Sequence, residues 1–398
     1  MPSASDSEKR VELVIEELAA GGDGVGHAPD GRVIFVPFTA PGDRVRVRIA
    51  LFRSNYARGV VEALLEPSPQ RVDPACAVFG SCGGCAWQHV DYATQLEAKR
   101  KIASAALQRI GGLALPDDSP LSITPSESPY RYRTRSRVMV SAGKVGFRRR
   151  RSHALSATRR CPILVEALEA RLSALADDPP ETDAEWELVA GRSADLDEPV
   201  TRAVPLPAAG GPRLWVPVGE DRIGVSPGVF IQSNGGLLDA LSLAVAKAAG
   251  RGRRAFDLFC GAGFFTLGLA RNFDEVVAVE SNPVAAGDLE ANLREAGVDN
   301  VRVLARSVEA ALDDAEFSRL HSDRVVVDPP RSGLGEAVAE RIAGLEPERI
   351  VYLSCDPATL ARDLSVFIHC GYRLMATECF DLFPQTPHVE MLAVVDRE

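Results

Sequence analysis

A cysteine stands directly before Asp-Pro in YLSCDPATL, residues 352–360, where the apolar run IVYL ends. Asp356 is a good N-cap and Pro357 a good first helical residue, so a helix is expected to start immediately beyond Cys355. A thiol near the positive end of a helix gains thiolate character, and the thiolate is the form that attacks carbon. Taken alone, a cysteine at a strand end more often fills a core. Two other segments shift that balance. Asp328-Pro329-Pro330-Arg331 closes an earlier strand with a rigid bend, which directs a carboxylate and carbonyls into the crevice where parallel sheets bind ligands. Pro387-His388-Val389-Glu390 opens the last strand. If that strand runs antiparallel beside the one ending at Cys355, Glu390 faces the same crevice, and a nucleophile, a base and a ligand pocket share one edge.

The ligand pocket is announced by LFCGAGFF, a Gly-rich turn after a strand, where small residues let a ligand approach the backbone. About twenty residues on, Glu280 ends the next strand and is placed to accept hydrogen bonds from ribose hydroxyls. Thr266 occupies the third glycine position of the dinucleotide fingerprint. The turn by itself therefore fits S-adenosylmethionine and NAD about equally. Enzymes that methylate amino groups of flipped bases place an aromatic residue after Pro-Pro, whereas this chain has Arg331. Those that methylate cytosine C5 in RNA place a cysteine after the first proline, and that cysteine is absent here.

A second group of candidate ligands lies far upstream. Cys76-x5-Cys82-x2-Cys85, with Cys161 downstream, supplies four thiolates of the kind a [4Fe–4S] cluster needs, although the spacing also suits zinc. The segment Tyr130–Cys161 holds ten arginines and Lys144 with no Asp or Glu, inside a chain of net charge −10. Such a run is suited to phosphate, and Tyr130, Tyr132 and Phe147 are expected to stack on bases. Closing a four-cysteine site at Cys161 would anchor this run, which assigns that site a structural rather than a redox role.

These residues need elements to hold them. At ~100 to 200 residues per domain, the 398 residues predict two or three domains. Residues 11–65 alternate as four or five short strands between Gly/Asp/Pro turns, the pattern of a small β-barrel, with Arg44, Arg46 and Arg48 on one strand face. Residues 66 to about 225 read as irregular, with a linker-like VPLPAAGGP. From Arg253 strands and helices alternate, which predicts a doubly wound, mostly parallel sheet. The first ten residues read as disordered and lack the apolar core of a signal peptide. No run approaches the ~20 apolar residues that cross a bilayer, so a cytoplasmic protein with no membrane partner is expected. Eight cysteines in such a chain point to metal or catalysis rather than to disulfides.

DLFCGAGFFTL, DPPRSGL, SCDPATLARDL and FPQTPHVE together resemble the motifs of the RNA uracil-5-methyltransferases, and FIQSN at 230–234 resembles that family's Gln-x-Asn segment. The resemblance extends over essentially the whole chain. It implies an OB-like TRAM barrel at residues 1–65, a central cluster-binding α+β domain at 66–225 and a Rossmann-like class I methyltransferase domain at 226–398. It further implies that Cys355 adds to C6 of uracil and that Glu390 removes the C5 proton after methyl transfer. S-adenosylmethionine would be held by Gln232, Phe259, Glu280 and Asp328, and a [4Fe–4S] cluster by Cys76, Cys82, Cys85 and Cys161. Phe264 and Ser307 stand where the family often has Asn, so they are left outside the expected site. The pairing of barrel and cluster favours 23S rRNA as partner, with tRNA the nearest rival and a monomer as the default. An inactive iron–sulfur RNA-binding protein is the alternative of another class.

Overall fold

The computed structural model describes residues 10–113, 121–193, 198–207 and 210–398. The expected disordered start, up to residue 9, and Ala208-Ala209 of the linker-like patch lie outside them.

Six strands form the N-terminal sheet, one more than the upper expectation. Its long hairpin, Arg44–Phe52 with Tyr56–Glu66, is antiparallel. Alternation turns Val45, Val47 and Ile49 inward onto Leu13, Ile15, Ile34 and Val36. The outward arginines are not free for phosphate. Arg44 pairs with Glu66 at 2.7 Å, Arg46 with Glu12 at 2.7 Å, and Arg48 lies 3.8 Å from Glu62.

The region read as irregular is ordered. Strands Arg135–Ser141, Lys144–Arg148 and Leu155–Ala157 join four later ones, among them Ala184–Arg192, in a seven-stranded sheet. Before it runs an 18-residue helix, Tyr92–Arg109, whose N-cap Asp91 accepts from the Thr94 amide at 2.9 Å. Ala103, Ala106 and Leu107 of this helix pack into the core of the C-terminal unit, together with Leu121 and Ile123. Val216 and Ile223, also upstream of residue 226, pack against Ala285 and Leu289. Central and C-terminal segments therefore share cores.

The C-terminal unit contains β1 (Gly252–Leu258), β2 (Phe273–Glu280), β3 (Val301–Ala305), β4 (Arg324–Val327), β5 (Arg349–Ser354), β6 (Tyr372–Phe380) and β7 (Glu390–Arg397). Their order is β3-β2-β1-β4-β5-β7-β6, and Ser122–Thr124 adds an eighth strand beside β6. β1 to β5 are parallel, and β7 is antiparallel between β5 and β6. This is the class I methyltransferase arrangement on which the expected position of Glu390 depended. β6 was not foreseen, because a bulge between Leu374 and Ala376 breaks its period of two. The helix after the Gly-rich turn is short, Thr266–Ala270.

Candidate active site

Cys355 sits between the last residue of β5 and the helix Pro357–His369. The Asp356 side chain caps that helix, accepting from the Ala358 amide at 2.9 Å and the Thr359 amide at 3.2 Å. In the β5–β7 ladder Ser354 pairs with Met391, so the next step along each strand brings Cys355 opposite Glu390. Glu390 is buried, and its Oε1 has no hydrogen-bond partner. Asp328 follows β4 at the same edge, and Arg331 reaches the Cys355 thiol as a hydrogen-bond partner.

The electrostatics differ from the expected ones in sign. Burial pushes the Cys355 thiol up to about 11, and Glu390 and Asp328 add to the rise. Arg331 opposes it but does not reverse it. The helix N-terminus is where the sequence placed it, yet desolvation and two carboxylates outweigh its favourable field. Burial also raises Asp328 to about 7, with Asp257 nearby as the second cause. Glu390 is pushed well above the ordinary carboxylate range by burial and by Asp328, with Arg331 partly offsetting. Such carboxyls are stronger bases than ordinary ones once ionised. Arg331, read in the sequence only as a missing aromatic residue, is the cation of this group; its place directly after Pro-Pro was the available signal.

Asp257 on β1 supplies a stability test. Its carboxyl is raised to about 7 by burial, although Thr266 Oγ1 donates to it at 2.6 Å. A folded-state value above the unfolded one means that its contribution is complete below pH ~4 and is lost as pH rises through about 7. Asp257→Asn keeps an acceptor for Thr266 and removes the charge. We expect it to raise stability at pH 8 to 9 by on the order of a few kcal/mol, seen as a higher melting temperature, with the difference vanishing near pH 4. An unchanged difference across this range in thermal melts would show that Asp257 does not titrate in the fold.

The crevice at the Gly-rich turn is built for close approach. A Cβ on Gly263 would lie 2.6 Å from Leu289 Cδ1, and Gly263 has φ +95°. Phe259, a non-glycine residue at φ 66°, turns the chain out of β1. Glu280 accepts from the Gly261 amide at 2.9 Å and the Asn282 amide at 2.6 Å, which fixes its carboxylate at the rim. Gln232 is buried and its Oε1 has no partner. All four expected cofactor residues line one cleft of about 1560 Å³ with Cys355 and Glu390. Phe264 and Ser307, left out of the expected site, line it too. Orphaned polar atoms of Gln232 and Glu390 in this wall fit a polar ligand.

The cleft continues to all four cysteines and along the arginine-rich run. Burial is the main cause that raises Cys85 to about 11 and Cys161 to about 12; Cys161 also responds to the charge of Cys85, Cys76 and Cys82, and Cys85 to that of Cys82 and Cys76. The four thiols thus share one neighbourhood. Among the described residues, no three His, Cys, Asp or Glu side chains are gathered so as to hold a single metal ion.

The run itself divides. Arg135 is buried and paired with Glu187, Arg131 pairs with Glu169 at 2.7 Å, and Arg150 and Arg151 reach Asp23 of the N-terminal sheet. Arg133, Arg149 and Arg160 line the cleft without a carboxylate partner among the described residues. Tyr132 cannot stack on a base as expected, because it is 4% exposed and its hydroxyl donates to the Pro384 carbonyl at 3.0 Å. Phe147 remains on the cleft wall.

Comparison with known proteins agrees with this arrangement. The tRNA (Uracil-5-)-methyltransferase family model matches residues 224–398, and the TRAM domain model matches residues 8–61. A 23S rRNA (uracil(1939)-C(5))-methyltransferase RlmD of Alkalilimnicola ehrlichii is 34% identical, over 97% of this chain and 96% of its own. The chain belongs to the RNA uracil-5-methyltransferase family. An uncharacterized RNA methyltransferase of Gloeobacter violaceus is 32% identical over 100% of this chain and 98% of its own. The solved structure of the Pyrococcus abyssi tRNA (uracil-54, C5)-methyltransferase with S-adenosyl-L-homocysteine superposes with a TM-score of 0.73 at 25% identity, covering 96% of this chain and 100% of that one. As a member of this family the protein is an enzyme that transfers a methyl group from S-adenosylmethionine to uracil C5 in RNA. It combines a TRAM domain with a class I methyltransferase fold.

Proposed function

We propose that this uracil-5-methyltransferase acts on a uridine of 23S rRNA through a covalent adduct between Cys355 and uracil C6, with Glu390 removing the C5 proton. The observation that carries the reading is the antiparallel β7 beside β5, which sets Glu390 opposite Cys355 next to Asp328. C5 of uracil is a poor nucleophile, and addition of the thiolate to C6 turns C4–C5 into an enolate. The C5 electron pair then takes the methyl group from the sulfonium, releasing the thioether. Glu390 accepts the C5 proton, the C5–C6 double bond reforms, and the C6–S electron pair returns to sulfur. Gln232, Phe259, Glu280 and Asp328 are the residues proposed to hold S-adenosylmethionine.

Arg331 favours the thiolate, so its loss has a defined sign. Arg331→Gln removes the cation that, among the described residues, lowers the thiol, leaves less thiolate at a given pH, and shifts adduct formation to higher pH. The rate of adduct formation against pH measures this. A profile identical to that of the wild type would remove Arg331 from the role.

The four cysteines are proposed to hold a [4Fe–4S] cluster. Four thiols in one neighbourhood, with no other donor type among them, suit the all-thiolate ligation of such a cluster. Cys76, Cys82, Cys85 and Cys161 would be the ligands, and the group would supply a cross-link between the arginine-rich strands and the loop at residues 76–85. Arg133, Arg149 and Arg160, which have no carboxylate partner among the described residues, are proposed to meet RNA phosphates. Alanine at Arg149 or Arg160 should lower the slope of log binding constant against log salt by about 0.7 for each lost contact. An unaltered slope in filter binding would place the RNA elsewhere.

The names of relatives favour 23S rRNA, and a solved neighbour at 25% identity is named as a tRNA methyltransferase. Mapping 5-methyluridine in rRNA and tRNA from a strain lacking the gene decides between them. Loss in tRNA alone would overturn the ribosomal assignment. The reading places the enzyme with its RNA in the cytoplasm, and among the described residues no helix is long and apolar enough to cross a membrane.

A further inference from the structure

The loop Asp381–Val389, between β6 and β7, carries the chain into Glu390. Gln385 in this loop is 2% exposed and holds φ 69°, a left-handed conformation that is costly for a residue with a Cβ. Every polar group it owns is bonded. Its carbonyl accepts from the Ala86 amide at 2.9 Å and the Trp87 amide at 3.0 Å, the two residues that follow Cys85. Its amide donates to Gln95 Oε1 at 2.9 Å, and its Oε1 accepts from Gln95 Nε2 at 3.0 Å. Its Nε2 donates to the Pro129 carbonyl at 3.3 Å, at the start of the arginine-rich run.

Gln95 is itself fully buried in the helix Tyr92–Arg109, and its Nε2 also bonds the carbonyls of Trp87 and Val90. The two glutamines thus tie three stretches that are far apart in sequence: residues 86–95, Pro129 and the loop before Glu390. A core-filling role needs no such matching of donors and acceptors, since apolar side chains would pack there at less cost. The left-handed backbone at Gln385 persists because these bonds determine it.

We propose that Gln385 and Gln95 are positioning residues, a clamp through which the loop of Cys76, Cys82 and Cys85 sets Glu390 against the C5 proton. The clamp acts on release more than on methyl transfer, because Cys355 is held by β5 and its capped helix, whereas Glu390, the first residue of β7, has its pairing with Phe380 on one side and the clamped loop on the other. This inference rests on the reading of Glu390 as the base. In the step concerned, a Glu390 oxygen bonds the C5 proton, the C–H electron pair becomes the C5–C6 double bond, and the C6–S pair returns to the Cys355 sulfur. A displacement of about 1 Å at the base suffices to slow such a step by about 100-fold.

The test uses the full-length enzyme, S-adenosylmethionine with a labelled methyl group, and total RNA labelled with 5-tritiated uridine from a strain lacking the gene. Two quantities are read: methyl label in protein–RNA adduct resistant to SDS, and tritium released to water. Their ratio counts only molecules that have reacted, so it is independent of the fraction that folds. Gln95→Ala and Gln385→Asn are the variants, the second because Asn tolerates the left-handed backbone while falling short of Gln95 and Pro129. Both are expected to raise the ratio of adduct to release about 10- to 100-fold, towards that of Glu390→Gln. If Glu390→Gln traps adduct while both clamp variants keep the wild-type ratio, the clamp is refuted and the base assignment stands. If Glu390→Gln traps none, the base assignment fails and the clamp falls with it.

Discussion

Cys355→Ser is expected to reduce methyl transfer by at least about 10⁴-fold, the scale on which loss of a covalent nucleophile acts. Serine keeps the size of the side chain and its place between β5 and the capped helix. An alcohol held in this low-dielectric site beside Glu390 and Asp328 does not ionise, so attack on C6 stops. Binding of S-adenosylmethionine should survive, because Gln232, Phe259 and Glu280 lie on other segments. The direct readout is RNA containing 5-fluorouridine. Fluorine cannot leave C5 as a cation, so the wild-type enzyme should remain attached to methylated RNA while the serine variant does not. Because the thiol stands at about 11, adduct formation by the wild type should quicken as pH rises from 6 to 9. Adduct formed by the serine variant would place the nucleophile on another residue.

How much of this site was legible in the sequence follows from what each residue depends on. The edge shared by Cys355, Asp328 and Glu390 is set by strand ends, and strand ends are marked locally by Asp-Pro, Asp-Pro-Pro and Pro-His-Val-Glu. Their convergence required only the insertion of β7 beside β5, which the ladder contains. The direction of the Cys355 shift was not legible, because desolvation depends on how deeply the whole crevice encloses the thiol. The central region misled for a similar reason. The helix Tyr92–Arg109 hides its inward face by placing Gln95 and Lys99 there, and Lys99 is buried on Asp381. A buried ion pair and a glutamine clamp read as polar surface until their partners, nearly three hundred residues away, are in place. Tyr132 was read as a stacking residue on the same logic, since the Pro384 carbonyl that it bonds lies 252 residues away. β6 was lost to a bulge.

Glu390→Gln separates two steps that Cys355 joins. The amide preserves shape but cannot accept the C5 proton, so the variant should add the thiol, transfer one methyl group and stop. Methylated RNA is then expected to accumulate on the enzyme with ordinary uridine, and turnover to fall by about 10²- to 10⁴-fold, the range of a lost general base. The first methyl transfer should be no slower than in the wild type. Glu390 raises the Cys355 thiol, and removing that negative charge lowers it, giving more thiolate at neutral pH. A slow release beside an undiminished first transfer distinguishes loss of a base from general damage to the crevice, which would slow both. The same charge argument says why the two residues can lie so close. In the resting site burial raises both groups and Glu390 adds to the rise of the thiol, while Arg331 is the cation among the described residues that lowers both. The reaction itself relieves the crowding. Once sulfur is bonded to C6 it carries no charge, so the Glu390 carboxylate that faces the C5 proton has one negative neighbour fewer. Rapid quench with labelled S-adenosylmethionine resolves the order, and a variant that transfers slowly but releases at the wild-type rate would assign the proton to Asp328 instead.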